Sequence, residues 1–396
     1  MKNILFVNAY SARNLGDFAI ILGMREVLLR VFDNEVNILV ASSYFEDNKQ
    51  FYPIDLISGD SVWNISRGSF LSRYAKGLYL FFLAIVFPSS KEFACFRNAD
   101  LICSVGGGYL YSSIKGPFGV GLLNMLFNIW LGIRFKKKVV CFPQSVGPIY
   151  SRLDAWLLKK VLSRVNVFVS REAITTKYLM DKLGLLNVYE SIDVAFSLTP
   201  SDSYLQKSDF HRYDLVIGVT VLDWRFAIKG SNDEDILRYL KKISNVILSL
   251  AKTKKIKVIV FPQVTVGEGD TDQEVSEKLV ALIGENVSEV FDFPEKFDPR
   301  RLMATYGDVD LFIGSRMHST IFALATGCKT IGLAYQPKTT ATFKLLGLEK
   351  NVLPINDFSE QELLKLILEI KQNTEITHSI KAYKENVIKI ISDVSH

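Results

Sequence analysis

The sequence contains little cysteine and little histidine, with four residues of each among its 396. The cysteines form no CxxC pair and have no metal-like spacing, which favours a chain that stays in a reducing compartment. The histidines also lack ligand spacing, and no HExxH sequence is present. We therefore expect a cytoplasmic protein with no obligatory metal or cofactor. The residues concerned are Cys95, Cys103, Cys141, Cys328, His211, His318, His378 and His396.

Long hydrophobic runs are also absent. The longest, GLYLFFLAIVFP at residues 77–88, falls short of the roughly 20 residues that a membrane-spanning helix needs. The basic residues Arg67, Arg73 and Lys76 precede it among aromatic side chains. Two interpretations stay open: a helix buried between two sheets, or a helix that lies in a membrane interface. The second interpretation predicts peripheral membrane contact through residues 67–88.

The chain carries no strong charge of either sign. Its net charge is +5, and its lysines and arginines are scattered among acidic residues, which argues against nucleic acid as a partner. A hydrophobic content of 48% with 22% charged residues is typical of a globular protein. The length of the chain suits two domains.

Short apolar segments rich in Val, Ile and Phe alternate with stretches of helical period, which is typical of parallel sheets covered by helices. We therefore predict an α/β protein with two Rossmann-like domains that face a central cleft. The predicted domains are residues 1–197 and 214–358, joined by a linker at 198–213 and followed by C-terminal helices at 359–396 that could brace the first domain. The predicted strands are residues 3–8, 36–41, 100–105, 138–142, 166–169, 214–221, 256–261, 309–313 and 329–333.

The two halves carry a similar motif at the end of a predicted strand. VNVFVSR at residues 165–171 resembles VDLFIGSR at residues 309–316, and both end in Ser-Arg. Chance similarity between short apolar strands is the alternative explanation. Because parallel sheets bind ligands outside the carboxyl ends of their strands, we expect both Arg171 and Arg316 at the cleft.

The segment FIGSRMHSTIFALATG at residues 312–327 places a histidine at the head of an apolar helix, directly after a strand. We predict a helix from Met317 to Ala325, whose unpaired backbone N–H groups form an anion site. Arg316 adds bidentate recognition of a phosphate or carboxylate. A bound phosphate would favour a proton on His318, so we expect an acid/base group there rather than a core histidine. Lys338, before the next helix, is either a further ligand cation or a solvated loop charge.

Loops that contain glycine follow three other predicted strands. In NLGD, at residues 14–17, Asp17 is either a helix N-cap or a carboxylate that binds or deprotonates a sugar hydroxyl. The triple glycine at 106–108 allows close approach to a ligand but lacks the GxGxxG spacing of a dinucleotide site. FPQSVGP, at residues 142–148, is either scaffold or a ligand contact. The candidate acceptor-binding or loop residues are Asn14, Gly16, Asp17, Gly106, Gly107, Gly108 and Gln144.

Taken together, these motifs resemble the polysaccharide pyruvyl transferase family. The resemblance implies a fold of the GT-B type, and transfer of a carboxyethylidene group from phosphoenolpyruvate to two hydroxyls of a sugar, free or lipid-linked. The phosphoenolpyruvate contacts that it implies are Arg171, Arg316, the backbone of Met317, His318 and Lys338. The motifs are NLGD at 14–17, DLICSVGGG at 100–108, FPQSVGP at 142–148, SREA at 170–173, SRMHSTIFALATG at 315–327 and AYQPK at 334–338.

The implied enzyme forms a pyruvate ketal on a surface polysaccharide or its precursor, in the cytoplasm or on the inner face of the cytoplasmic membrane. We expect His318 to supply a proton and Asp17 to handle the acceptor hydroxyl. Two other functions stay open. A glycosyltransferase of the same architecture would bind the diphosphate of a nucleotide sugar at residues 316–318. A non-catalytic scaffold would bind the membrane through residues 67–88, although the anion-binding residues in both halves speak against it.

Overall fold

The chain forms two compact α/β units. Unit 1 comprises Met1–Ala12 and Asp17–Leu198, together with the end of the last helix from Tyr383 onward. Unit 2 comprises Arg13–Gly16 and Thr199–Ala382, so it includes four residues from the N-terminal loop. The computed structural model describes residues 1–66, 68–228, 230–264, 272–294, 296–371 and 374–395.

Unit 1 is built on one parallel sheet. Its strands are β1 (Lys2–Ala9), β2 (Val36–Ser42), β3 (Leu56–Asp60), β4 (Leu101–Ser104), β5 (Gly107–Leu110), β6 (Lys138–Val146), β7 (Val167–Ser170) and β8 (Val188–Glu190). They are ordered β3-β2-β1-β4-β6-β7-β8, and β5 pairs with β6 beyond the end of β4. The central strands β4 and β7 are buried at every residue, because helices cover both faces of the sheet.

The helices of unit 1 connect these strands and cover the sheet. They are α1 (Leu15–Val31), α2 (Phe45–Asn48), α3 (Phe70–Val86), α4 (Ala94–Asn98), α5 (Val120–Arg134), α6 (Arg152–Leu162) and α7 (Ala173–Lys177). Side-chain caps mark some of the helix starts: Ser69 accepts from the Ser72 N–H before α3, and Ser151 accepts from the Leu153 N–H before α6.

Unit 2 repeats this architecture with a second parallel sheet. Its strands are β9 (Leu215–Thr220), β10 (Ile256–Val260), β11 (Ser288–Val290), β12 (Leu311–Gly314), β13 (Lys329–Ala334) and β14 (Val352–Pro354). They are ordered β11-β10-β9-β12-β13-β14. The helices that accompany them are α8 (Asp233–Ala251), α9 (Gln273–Ile283), α10 (Pro299–Gly307), α11 (Met317–Ala325), α12 (Pro337–Leu345) and α13 (Glu360–Glu369).

The C-terminal helices divide between the units. Leu363 of α13 belongs to the hydrophobic core of unit 2. The last helix, α14 (Thr374–Ser395), groups with unit 2 up to Ala382 and with unit 1 from Tyr383 onward. The C-terminal helices at 359–396 were predicted to brace the first domain. Only the part of α14 from Tyr383 onward groups with unit 1.

Helix α3 is not buried between two sheets. Its buried residues form a narrow stripe of Gly77, Leu80 and Ala84, while Leu71 and Phe82 are 79% and 59% exposed. The interpretation of a buried helix is therefore wrong, because the apolar residues of α3 surround the helix and only one stripe can face the sheet. Arg67, which belongs to the predicted basic flank, lies outside the described residues.

Within the described residues, no single helix is both long and apolar enough to cross a membrane. One pair, Phe70–Val86 with Lys91–Asn98, meets the length and composition criteria together, but it is bent by 91°.

Candidate functional site

The predicted helix from Met317 to Ala325 is present with those bounds, as α11. Strand β12 ends at Gly314, and Arg316 keeps an extended backbone immediately before the helix. The chain therefore turns from strand to helix within two residues. The first N–H groups of α11 have no partner within the helix, so this turn is suited to binding an anion.

Hydroxyl groups fix the backbone of this turn. The Ser319 hydroxyl donates to the Arg316 carbonyl at 2.6 Å and lies 2.7 Å from the Thr220 hydroxyl. Thr220 also accepts from the Ser315 N–H at 3.1 Å, and the Ser315 hydroxyl lies 2.6 Å from that of Tyr239. All these hydroxyls belong to buried residues, so they bind one another rather than water. The position of the turn is consequently set before any ligand arrives.

The guanidinium of Arg316 is held by Asp272, a residue that no sequence motif indicated. Arg316 Nε lies 3.2 and 3.1 Å from the two carboxylate oxygens, and Nη2 lies 2.5 Å from Oδ1. Asp272 is fully buried and also accepts from the Val264 N–H at 3.0 Å. This bidentate pair restricts the guanidinium to one orientation at the start of α11.

The NLGD loop reaches His318 within unit 2. Asn14 forms an isolated antiparallel bridge with Val264, and its side-chain oxygen accepts from the Gly16 N–H at 3.1 Å. A Cβ added at Gly16 would lie only 2.1 Å from Nδ1 of His318. Gly16 therefore permits this close approach, since any larger residue would displace the imidazole.

Two further residues that the resemblance assigns to phosphoenolpyruvate, Met317 and Lys338, belong to unit 2. Met317 is buried as the first residue of α11. Lys338 is half-buried and lies in the first turn of α12, rather than before that helix as the sequence suggested. Because α11 and α12 follow the neighbouring parallel strands β12 and β13, Arg316 and Lys338 both come after the carboxyl ends of adjacent strands.

Arg171 occupies the matching position in unit 1, directly after β7. Its Nη1 lies 2.5 Å from the carboxylate of Asp193, and its Nε donates to the Ser145 hydroxyl at 2.8 Å. Both charged side chains are almost completely buried, at 4% and 2% exposure. A Cβ added at Gly108 would lie 3.2 Å from the Arg171 guanidinium, so the predicted glycine loop passes beside it.

Asp17 is the third residue of α1, so the interpretation of Asp17 as the N-cap is wrong. Its carboxylate accepts a hydrogen bond from the hydroxyl of Tyr109. Burial, followed by the charge of Asp17, raises the pKa of Tyr109 well above its usual value, so this phenol remains a donor at neutral pH. The ring of Tyr10 lies 5.6 Å from that of Tyr109 and 4.9 Å from that of Tyr44. The sequence pattern did not indicate this aromatic cluster.

Gln144 and the triple glycine join strands of the unit 1 sheet. The Gln144 amide donates to the Ser104 hydroxyl at 2.9 Å and to the Val105 carbonyl at 2.8 Å, and so links β6 to the end of β4. Gly106 leads into β5, in which Gly107 pairs with Gln144. These contacts support the interpretation of Gln144 as scaffold. Acceptor binding by Gln144 and by the glycines at 106–108 stays a prediction.

No group of three or more His, Cys, Asp or Glu side chains suited to a metal ion occurs among the described residues. His396, one of the four histidines, lies outside them.

Comparisons with known proteins place this geometry in a family. The amylovoran biosynthesis protein AmsJ of Erwinia amylovora is 22% identical over 400 residues, which cover 94% of this chain and 92% of AmsJ. Among solved structures, a putative UDP-N-acetylglucosamine 2-epimerase from Listeria monocytogenes has a TM-score of 0.59 at 11% identity, covering 96% of this chain and 90% of its own. A glycosyltransferase from Rickettsia africae has a TM-score of 0.55 at 11% identity, and the match covers 100% of this chain and 95% of the glycosyltransferase.

The solved structures confirm the predicted fold, two Rossmann-like domains of the GT-B type. The family model of polysaccharide pyruvyl transferase matches residues 14–337. That range begins in the NLGD loop and ends in the first turn of α12, and so contains all the motifs on which the resemblance was based except Lys338 itself. The chain therefore belongs to the polysaccharide pyruvyl transferase family.

Proposed function

We propose that the protein transfers a carboxyethylidene group from phosphoenolpyruvate to a sugar of a surface polysaccharide or its precursor, and closes a pyruvate ketal across two hydroxyls. The observation that carries this proposal is the strand-to-helix turn before α11. There a guanidinium fixed by Asp272, an imidazole and the first N–H groups of α11 follow one another along the chain. Family membership supports a transferase of polysaccharide biosynthesis.

Phosphoenolpyruvate has a phosphate and a carboxylate on a small carbon frame, so its site must present several positive groups in fixed directions. In unit 2, the N–H groups at the start of α11 and the Arg316 fork meet the phosphate, and Lys338 supplies a second cation. Arg171, the donor contact that the resemblance assigns to unit 1, stays a prediction. The Arg171–Asp193 pair supports it only in that the guanidinium is already immobilised.

The proposed reaction starts with a proton on His318. The imidazolium protonates the methylene carbon of phosphoenolpyruvate to a methyl group, and the adjacent oxocarbenium-like carbon is attacked by the first sugar hydroxyl, which loses its proton. Phosphate then leaves with the C–O bond electrons, and the second hydroxyl closes the ketal and loses its own proton. His318 is the proposed acid, and Asp17 is the weaker candidate for accepting a hydroxyl proton.

Alanine substitutions at Arg316 and His318 test this proposal. Phosphate release from phosphoenolpyruvate and the mass of the glycan product are followed together, with Arg238→Ala as a control for an exposed arginine of the same unit. We expect both site variants to lose activity at least about a hundredfold. Activity within a few-fold of wild type refutes the assignment. Thermal stabilisation by nucleotide sugars but not by phosphoenolpyruvate points to a glycosyltransferase instead.

We also propose that the acceptor is lipid-linked and that α3 contacts the inner face of the cytoplasmic membrane. The exposed apolar residues of α3 support this contact, because such a surface is unusual on a protein that meets only water. Co-sedimentation with anionic vesicles provides the test. The double substitution Leu71→Ser, Phe82→Ser should release the protein, whereas Leu186→Ser, at a 94% exposed site elsewhere in unit 1, should not. Equal sedimentation of the three proteins contradicts the proposal.

A further inference from the structure

Helix α3 covers a cavity in unit 1. The helix approaches the core so closely at Gly77 that an added Cβ would lie 2.3 Å from the indole of Trp63. Residues of α3, α5 and α6 line a space beside that contact. The space that remains has a volume of about 610 Å³, which is within the range of small-molecule sites, about 300–1,000 Å³.

The wall of this cavity is apolar and largely aromatic. Phe81 of α3 lies 4.9 Å, between ring centroids, from Trp130 of α5. Trp130 stacks on Phe127, which in turn meets the edge of Trp63. Trp156 of α6 completes the aromatic wall and is 55% exposed. A wall of this kind favours contact with hydrocarbon, because the exposure of apolar and aromatic surface to water is unfavourable.

The rim of the cavity is cationic. Lys160 and Arg164 line it together with Ser163, at the end of α6, and none of its described lining residues is acidic. Both basic residues are exposed, so each can reach an anion at the surface, where one ion pair contributes up to about 1 kcal/mol. The cavity thus combines an apolar interior with a positive entrance. That charge pattern matches an amphiphile with a long chain and an anionic head, and it does not match an uncharged apolar ligand.

The cavity is continuous with the exposed face of α3. Leu78 lines the cavity and is 71% exposed, and it follows Lys76 and Tyr74 on the same helix. A chain that entered between α3 and α6 would therefore come from the surface that the proposed function assigns to the membrane.

We propose that this cavity holds the hydrocarbon chain of a long-chain lipid phosphate, with Lys160 and Arg164 at its phosphate. The inference rests on the proposed lipid-linked acceptor, for which it supplies a binding site. The apolar lining favours a long chain over a short one, because each buried CH₂ contributes about 0.8 kcal/mol. The two cations favour a phosphate over a neutral head group.

Tryptophan fluorescence provides the experiment, because three of the four tryptophans line the cavity and the fourth, Trp224, belongs to unit 2. The probe is dodecyl phosphate brominated at the chain end, titrated below its micelle-forming concentration. We expect saturable quenching by this probe, and none by the brominated butyl phosphate. The double substitution Lys160→Gln, Arg164→Gln should weaken binding about tenfold or more. The matched control is Lys159→Gln, a neighbouring exposed lysine that does not line the cavity.

Leu123→Phe, which fills the cavity without touching its charges, provides a second variant and should also weaken binding of the long chain. Equal quenching by the short and long chains, or equal affinity in the wild-type and Gln variants, overturns the proposal. So does quenching that begins only when micelles form. The titration contains no phosphoenolpyruvate, so its result does not depend on the identity of the donor. The proposed function is measured separately, by phosphate release with a water-soluble sugar acceptor, and a failed titration does not affect that assay.

Discussion

Substitution of Gly16 by alanine should move the His318 side chain without destabilising the fold, so it tests whether the position of His318 matters for activity. The backbone of Gly16 is not in the left-handed region, so alanine can adopt its conformation. Gly16 also lies in the first turn of α1, where alanine is the better helix former by about 0.5–1 kcal/mol. The substitution therefore strains neither the loop nor the helix. Its effect is confined to the space that the new methyl group needs.

The size of the effect follows from one distance. The new Cβ would lie 2.1 Å from Nδ1 of His318, while ordinary van der Waals contact begins at 3.4 Å. The imidazole must therefore retreat by about 1.3 Å from its present position. A misplacement of about 1 Å in a reacting group costs roughly a hundredfold in rate. We expect kcat/KM for phosphoenolpyruvate to fall by about that factor, while the melting temperature stays constant or rises.

Phosphate release and a thermal melt, measured on the same preparation, test this expectation. Gly121→Ala serves as the matched control, because Gly121 lies near the start of α5 and an added Cβ there has no atom within 4 Å. If Gly16→Ala keeps activity within a few-fold of Gly121→Ala, His318 does not act from the position it has here. If Gly16→Ala melts well below wild type, the loss of activity cannot be assigned to the imidazole.

Three further predictions follow from buried charges and thiols. Asp193→Asn leaves Arg171 buried without its carboxylate and should lower the free energy of unfolding, measured by urea titration, by about 3–5 kcal/mol. The double variant Arg171→Met, Asp193→Leu removes both charges and should regain most of that free energy. Arg316→Lys cannot form the bidentate pair, so KM for phosphoenolpyruvate should rise about tenfold in steady-state assays, and an unchanged KM contradicts this. Burial raises the pKa of Cys103 and Cys141 above 9.0, so the unfolded chain loses these protons first. Stability is then constant up to about pH 9 and falls above it, and melts of a Cys103→Ala, Cys141→Ala variant should show a weaker fall.

Sequence pattern located the central strands and missed the peripheral ones. The nine predicted strands are present among the described residues, because Val-, Ile- and Phe-rich segments buried on both faces have an unmistakable composition. The five missed strands, β3, β5, β8, β11 and β14, have three to five residues each, and most of them lie at sheet edges. Each is too short to show a period, and SEV and GGYL contain only one β-favouring residue each. Pairing with a neighbour, which local sequence does not encode, makes them strands.

The candidate site shows the same division between local and distant information. The strand, Arg316 and helix α11 follow one another in sequence, so their geometry could be predicted. Asp272 lies 44 residues before Arg316, and Asp193 lies 22 residues after Arg171. Neither aspartate belongs to a periodic pattern or a recognisable motif, so only folding reveals its partner. The reverse error occurred at α3, where an apolar composition suggested burial although one stripe alone reaches the core.

The two arginine–carboxylate pairs suit the proposed binding of a small anion at these strand ends. In each unit an arginine follows a central strand, and its partner aspartate lies directly before a helical segment, Val194–Ser197 or α9. Pairing removes part of the positive charge that each arginine offers, so net charge cannot be the main source of affinity. What the carboxylates provide is a guanidinium fixed before the ligand arrives, which avoids the entropy cost of ordering a long side chain on binding.

Affinity for a dianion at α11 must then come from the helix N–H groups and Lys338 acting with that fixed fork. For this reason Asp272→Asn, which keeps the shape but removes the charge, should weaken phosphoenolpyruvate binding through a mobile Arg316. Tighter binding by this variant would show that the carboxylate acts only as a competing anion.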